Sequence, residues 1–428
     1  MDLHTTSYGY TRRLNHTVAA ICLTAVHVLC ARAVLAQDVR PYVAIFDRDM
    51  TASAGTTDLL TIERAAVDLE DRWLAPSLFD ESTKTRRALG IGYRLGKWYG
   101  LDLSQDHFLM VVGHEVFGHG ARLREIDAHG ISYSFDVPIP YGPGGAVTEF
   151  RGDIEVTRAD ALGIDTAGIE AQNVLADHIG SQALLAGALH YREAWLYLES
   201  RLDGLGYIRS VSPQSGDGHD VKSFLLHFNE HCDPPVCTPL SASTLKRRAL
   251  LMLADPMLAY AGYGWAVSYV FNGQSSGLVP MIALPHGVQY LPALRFEMTP
   301  YGTAVTTEHN FVTHRRLASL SIGVGDTGRE HAWDVGITAT NVVQRTWLRA
   351  GFAISIWRQP ALDASPNAQT FITGALGTAT AQISFGRDFS RSARAGILVE
   401  VGYKSDGFVR GERLHAGPIV RVGMTYHP

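Results

Sequence analysis

Apolar residues recur along this chain in two rhythms. Up to about residue 271 the spacing is helical: Phe108-Leu109-Met110-Val111-Val112-Gly113 runs along one apolar helix, residues 168–179 read as a second, and 181–202 as a third. Residues 244–254 and 256–271 form two more, broken at Asp255-Pro256, where Asp caps one end and Pro opens the next. Two short strands, 131–137 and 146–151, flank a Gly/Pro turn and predict a hairpin. From Gly287 onward the period changes to two. Val288, Tyr290, Pro292, Leu294, Phe296 and Met298 alternate with Gln289, Arg295, Glu297 and their neighbours, and the alternation returns through residues 318–324, 333–339, 348–356, 379–385, 395–403 and 420–426.

The second face of these strands decides what the first one meets. A soluble sandwich buries its apolar face and covers the other with Lys and Glu. Here the other face is mostly Gly, Ser, Thr and Gln with isolated charges (Arg295, Glu297, Arg349, Glu400, Lys404). That composition suits the inside of a narrow barrel whose outer wall meets lipid. Counting 301–311, about eight strands of bilayer-crossing length are expected. Tyr290, Trp333, Trp347, Trp357, Tyr403 and Tyr426 near their ends are placed to form interfacial girdles. At the level of pattern the region resembles small bacterial outer-membrane β-barrels. It departs from them in ending Tyr426-His427-Pro428 where such barrels end on an aromatic residue.

The amino terminus is consistent with export. Arg12 and Arg13 precede an apolar stretch over 18–29, and Val34-Leu35-Ala36 supplies a cleavage site before Gln37, so residues 1–36 read as a signal peptide. Removal takes Cys22 and Cys30 with it. Cys232 and Cys237, flanking the turn-rich Asp233-Pro234-Pro235-Val236, are then expected to form a disulfide. A net charge of −5 without a basic run argues against nucleic acid as a partner. The run Gly142-Pro143-Gly144-Gly145 lacks the Lys-Ser/Thr of a phosphate loop. Residues 210–220, rich in Ser, Gly and Asp, look like an exposed loop.

Chemistry concentrates at His114-Glu115-Val116-Phe117-Gly118-His119. Two imidazoles can bind a metal, and the carboxylate beside the first can take a proton from water that the metal polarises. The histidines are five residues apart, not the usual four. On a regular helix this separates them by about 140°. Both reach one ion only if the helix widens by a residue, as in a π-bulge, or unwinds at its end, and Gly118 sits where that distortion costs least.

The H-E-x-x-G-H form resembles the dipeptidyl peptidase III family of zinc peptidases. The resemblance implies His114 and His119 as ligands, Glu115 as general base and a Glu on a later helix as third ligand. Glu170 is the candidate, on a helix where Glu170, Asn173 and Asp177 form one polar stripe. His178 and Glu149 are the alternatives. The sequence does not single out a donor for the developing oxyanion.

The sequence therefore predicts an α+β, multidomain chain. A signal peptide over 1–36 is followed by a mainly helical, metallopeptidase-like zinc-site domain over 37–285 and an antiparallel transmembrane β-barrel of about eight strands over 286–428. The expected activity is zinc-dependent hydrolysis of a peptide or protein at a bacterial outer membrane, with lipid around the barrel. The rival reading is a non-enzymatic outer-membrane barrel in which the motif closes a helix or holds a structural metal.

Overall fold

The computed structural model describes residues 41–427 apart from 80–81, 153, 217, 365–366, 368 and 386–393. The signal-peptide segment, with Cys22 and Cys30, lies outside the described residues. Strand β1 (Tyr42–Phe46) leads into helix α1 (Ala52–Glu70). Helix α2 (Lys84–Lys97) passes through a π-helical stretch, Trp98–Asp102, into α3 (Leu103–Val112), a second π-helical turn over Gly113–His119, and α4 (Gly120–Glu125). The hairpin of β2 (Ser132–Phe135) and β3 (Ala146–Glu149) follows. Next come α5 (Arg158–Ala186), β4 (Ala188–His190), α6 (Tyr191–Ser210), α7 (Asp220–Asn229), α8 (Ala242–Ala249) and α9 (Pro256–Tyr263). A 3-10 turn (Leu250–Ala254) precedes α9 and a π-helical turn (Gly264–Phe271) extends it. The strands are β5 (Ser276–Leu278), β6 (Ile282–Ala283), β7 (Gln289–Thr299), β8 (Gly302–Thr313), β9 (Arg316–Asp326), β10 (His331–Gln344), β11 (Leu348–Pro360), β12 (Phe371–Phe385), β13 (Arg394–Lys404) and β14 (Gly417–His427).

Local chemistry explains the boundaries. Helix α5 starts at a capping box in which Thr157 Oγ1 accepts from the Asp160 amide (3.2 Å) while Asp160 Oδ2 accepts from the Thr157 amide (3.1 Å). It ends at Gly187, whose φ of 67° suits glycine best. That left-handed residue, followed by β4, divides what the sequence reads as one helix over 181–202. The apolar stretch through 249–271 is likewise broken into short pieces, with Asp255 Oδ1 accepting from the Met257 amide at the break (3.1 Å). Among the described residues no helix is long and apolar enough to cross a membrane. Cys232 and Cys237 form the expected disulfide.

The fold class differs from the expectation. The strands do not close into a barrel of about eight over 286–428. They form one open, antiparallel, ten-stranded sheet in the order β1-β14-β13-β12-β11-β10-β9-β8-β7-β6, with β1 and β6 as its unjoined edges. Nor do residues 37–285 form a mainly helical unit beside it. They supply β1, which pairs along β14 from Tyr42↔Tyr426 to Phe46↔Val422, and β6 at the other edge. Helical and sheet residues share cores: Leu60, Met110, Leu175 and Leu196 cluster with Leu291, Val312 and Leu317, and Phe224 and Leu245 with Phe296 and Met298.

The physical reason is what seals the edges. On β1 the Val43 amide donates to Thr61 Oγ1 (2.9 Å) and the Ile45 amide to Asp58 Oδ1 (2.7 Å), so side chains of α1 take the place of another strand. The sheet curls nevertheless. The segment between β13 and β14 folds inward, where Phe408 meets Tyr301 at the β7–β8 turn (6.1 Å between rings) and Arg410 pairs with Glu297 on β7 (2.6 Å). Helix α5 lies inside this curl, with Asp177 paired to Arg201, Arg295 and Arg410.

The helices around the site are fixed by a buried ion network. Arg192 on α6, fully buried, reaches Glu70 (2.7 Å) and Glu63 (3.2 Å) on α1 and Asp106 (2.8 Å) on α3, and also Asp102 (3.3 Å). Lys97 adds contacts to Glu70 (2.9 Å) and Asp102 (2.5 Å). The cluster has more carboxylates than cations. Burial pushes the Glu63 carboxyl well up, and pushes Asp106 up to about 6 against the pull of Arg192.

Two outcomes follow for stability. Arg192→Met strands several buried carboxylates and is expected to cost about 3–5 kcal/mol in urea unfolding. Because Asp106 binds its proton more tightly folded than unfolded, its contribution is full below about pH 4 and is lost as pH rises through about 6. Asp106→Asn should therefore flatten the fall in stability between those values, which denaturation at the two pH extremes would measure.

Candidate metal centre

The extra residue required by the five-residue spacing is present, because the backbone is π-helical from Gly113 to His119. Arg124 Nη2 donates to Val116 O within this turn (2.7 Å) and Arg124 Nη1 to Tyr133 on the hairpin (2.8 Å). The widened turn puts the two imidazoles side by side, with ring centroids 4.9 Å apart. Ligand-type atoms of His114, Glu115 and His119 lie within 4.8 Å of one another.

Both rings are pressed against α5. A Cβ on Gly118 would lie 2.7 Å from Ala167 O and 2.8 Å from Gly168 Cα, and a Cβ on Gly168 would lie 2.2 Å from His114 Nε2. Only glycine at both positions allows the backbones to approach this closely.

The structure supplies a carboxylate that sequence reasoning missed. Asp220 Oδ2 lies 3.1 Å from His114 Nε2 and 3.2 Å from His119 Nε2. Asp220 opens α7, where a first-turn carboxylate suits the helix dipole. The sequence places it at the end of a loop over 210–220, and its only local sign is an acidic residue opening the apolar run that follows. His119 Nδ1 faces the Ile164 carbonyl at 2.9 Å. Donation there fixes the tautomer and leaves the Nε2 lone pair for an ion. Without an ion, burial opposes a charged His119, but Asp220 outweighs it and pushes the imidazole up to about 9. Burial likewise opposes the charge on Asp220, and His119 with His114 still holds its carboxyl well below the usual range.

Glu115 is buried beside the pair, and Thr148 Oγ1 on β3 donates to its Oε2 (2.5 Å). Tyr207 stands edge-on to His114, with 6.0 Å between rings, and its hydroxyl accepts from the Asp220 amide (3.2 Å). Burial, then the charge of Asp220, raises the phenol, which keeps its proton. His219 stacks on Tyr207 (4.4 Å), and His227 contacts Asp165 (2.6 Å). Burial pushes Asp165 up to about 6 despite His227.

Glu170 is not brought to this group. Its carboxylate receives Arg122 Nη2 at 3.0 and 2.7 Å and the Gly411 amide at 2.6 Å. It follows Gly168 by two residues on α5, so it points about 200° away from the surface against His114. Asn173 and Asp177, the rest of that stripe, are taken by Arg201. Of the alternatives, His178 contacts Thr56 (3.0 Å) and is lowered to about 4 by burial, then by Arg421 and Arg64. Glu149 is exposed at the end of β3.

Gly118→Ala should force α5 and the π-helical turn apart and lower stability by about 1–3 kcal/mol in thermal unfolding. Gly96→Ala on α2, whose Cβ meets nothing within 4 Å, should be neutral or stabilising by up to about 1 kcal/mol.

Compared with known protein families, curated proteins and solved structures, the chain matches none.

Proposed function

We propose that this chain is a zinc-dependent hydrolase acting on peptide bonds, with His114, His119 and Asp220 as ligands and Glu115 as general base. One observation carries the reading: two Nε2 atoms converge on a single carboxylate oxygen at 3.1 and 3.2 Å, with a second carboxylate alongside. Bonds of 2.0–2.1 Å in a tetrahedral site require ligand atoms about 3.3 Å apart, close to these separations. A two-imidazole, one-carboxylate set suits zinc and leaves a coordination position open.

A bound Zn²⁺ would supply Lewis acidity toward water and the scissile carbonyl. The remaining chemistry belongs to the chain. Thr148 holds Glu115 Oε2, which orients the carboxylate so that Oε1 takes a proton from the attacking water and passes it to the leaving amine. The Tyr207 hydroxyl, whose oxygen accepts from the Asp220 amide, is the nearest phenol and would donate to the oxyanion once Asp220 is engaged by the ion. The hairpin supports a peptide as substrate. Its β3 strand carries Thr148 beside Glu115, and its sheet has only two strands, so an extended segment can add to an outer edge.

Elemental mass spectrometry of the purified chain tests the site. About one zinc per chain is expected, lost in His114→Ala and Asp220→Ala and retained in Glu170→Ala. Glu115→Gln should keep the metal while peptide hydrolysis falls by about 10²–10⁴. A wild-type chain that takes up no zinc after reloading overturns the proposal.

A further inference from the structure

The ten-stranded sheet buries many polar side chains and turns a continuous set of apolar ones outward. Facing the helices, Arg295, Glu297, Thr306, Asn310, Thr378 and Arg421 are buried. On the opposite side, the outward residues of β13 are Ala395, Ile397, Val399, Val401 and Tyr403, and those of β14 are Pro418, Val420, Val422, Met424 and Tyr426. None is charged. Ile354 is 53% exposed, Val422 50% and Met424 64%. A water-soluble sheet has the reverse arrangement, because burying polar groups and wetting aliphatic ones both cost free energy. Where the helices do not fill the curl, a 220 Å³ cavity holds Asn341, Arg349, Gln382 and Glu400 in its lining beside Phe352 and Leu398.

An open sheet in lipid must also cover its edges. Beyond β1, helix α1 satisfies the edge amides and turns Ile62 and Leu69 outward, 57% and 60% exposed. Beyond β7, the Leu250–Ala254 turn packs against the strand and exposes Leu250, Leu251 and Leu253. The apolar surface therefore continues from strands onto helices at both ends. Its span suits a bilayer: Ala395 to Tyr403 within β13 is nine residues, against about 9–11 for a tilted strand that crosses one. Phe385, Tyr426 and Tyr42 stand level at one end through the register Phe385↔Ala395↔Tyr426↔Tyr42.

We propose that this belt, made of the outer face of β8–β14 and closed by α1 and the Leu250–Ala254 turn, is embedded in the acyl chains of a bilayer. The inference is independent of the hydrolase reading and its test does not use activity. The full chain is reconstituted with phosphatidylethanolamine–phosphatidylglycerol vesicles and floated after an alkaline wash. The wild type should float, and Val422→Lys should lose inserted protein by at least about tenfold. Because a lysine variant can fail to fold, conservative tryptophan probes give a second readout. In vesicles with brominated acyl chains, the emission that Val422→Trp and Leu253→Trp each add to that of the wild type should be quenched, whereas the emission added by Leu226→Trp, at a 63% exposed position on α7, should not. Quenching at 422 without quenching at 253 overturns the helix-closed belt. A chain that stays out of vesicles, or that sediments as a detergent-free dimer with both probes unquenched, assigns the face to water or to a second copy and overturns the proposal.

Discussion

The approach of the Gly113–His119 turn to α5 constrains almost everything around it. Gly118 and Gly168 remove the two Cβ atoms that would hold the backbones apart. The His114 ring can then press against Gly168 of α5, and His119 can reach the Ile164 carbonyl one turn earlier on the same helix. Helix α7 packs on α5 from another side and delivers Asp220 to both imidazoles. The widened helical turn is thus stabilised by what it packs against, the usual way a π-bulge survives its poorer hydrogen bonding.

Helix α5 also explains the large number of buried charges. A sheet with a polar inner face cannot enclose an apolar helix without stranding its own side chains. The polar stripe of α5 answers that face through Arg295 on β7 and through the inward segment between β13 and β14, and answers neighbouring helices as well: Asn173 and Asp177 take Arg201, Asp177 takes Arg295 and Arg410, and Glu170 takes Arg122 and the Gly411 amide. Buried ions tolerate this only when each has a partner, because the cost of desolvation is recovered only through close pairing. The stripe joins α5 to its neighbouring helices, to β7 and to the segment between β13 and β14, and the carboxylate at the imidazoles comes from elsewhere.

The inverted polarity of the sheet and its open topology have a common origin. Strand alternation places apolar side chains outward whether or not the sheet closes. Closure depends on whether the first and last strands find each other, and here α1 occupies the edge of β1 with Thr61 and Asp58. Alternation was legible along most of the carboxy-terminal third. The pairing of β14 with residues 42–46, far away in sequence and only five residues long, left no comparable periodic signal.

What the sequence determined by itself is what lies within one turn, one strand or one short loop. The five-residue spacing of His114 and His119 demanded a wider helix, period-two alternation demanded strands, and Cys232 and Cys237 were close enough to pair. Local geometry fixes each of these, since neighbouring side chains on a helix or strand have set directions. Tertiary structure alone decided that Asp220, 101 residues beyond His119, and not Glu170 meets the imidazoles, and that helices take the place of the strand pairing that would have closed the barrel. Such meetings depend on how closely separate elements pack, and spacing along the chain carries almost no information about that distance.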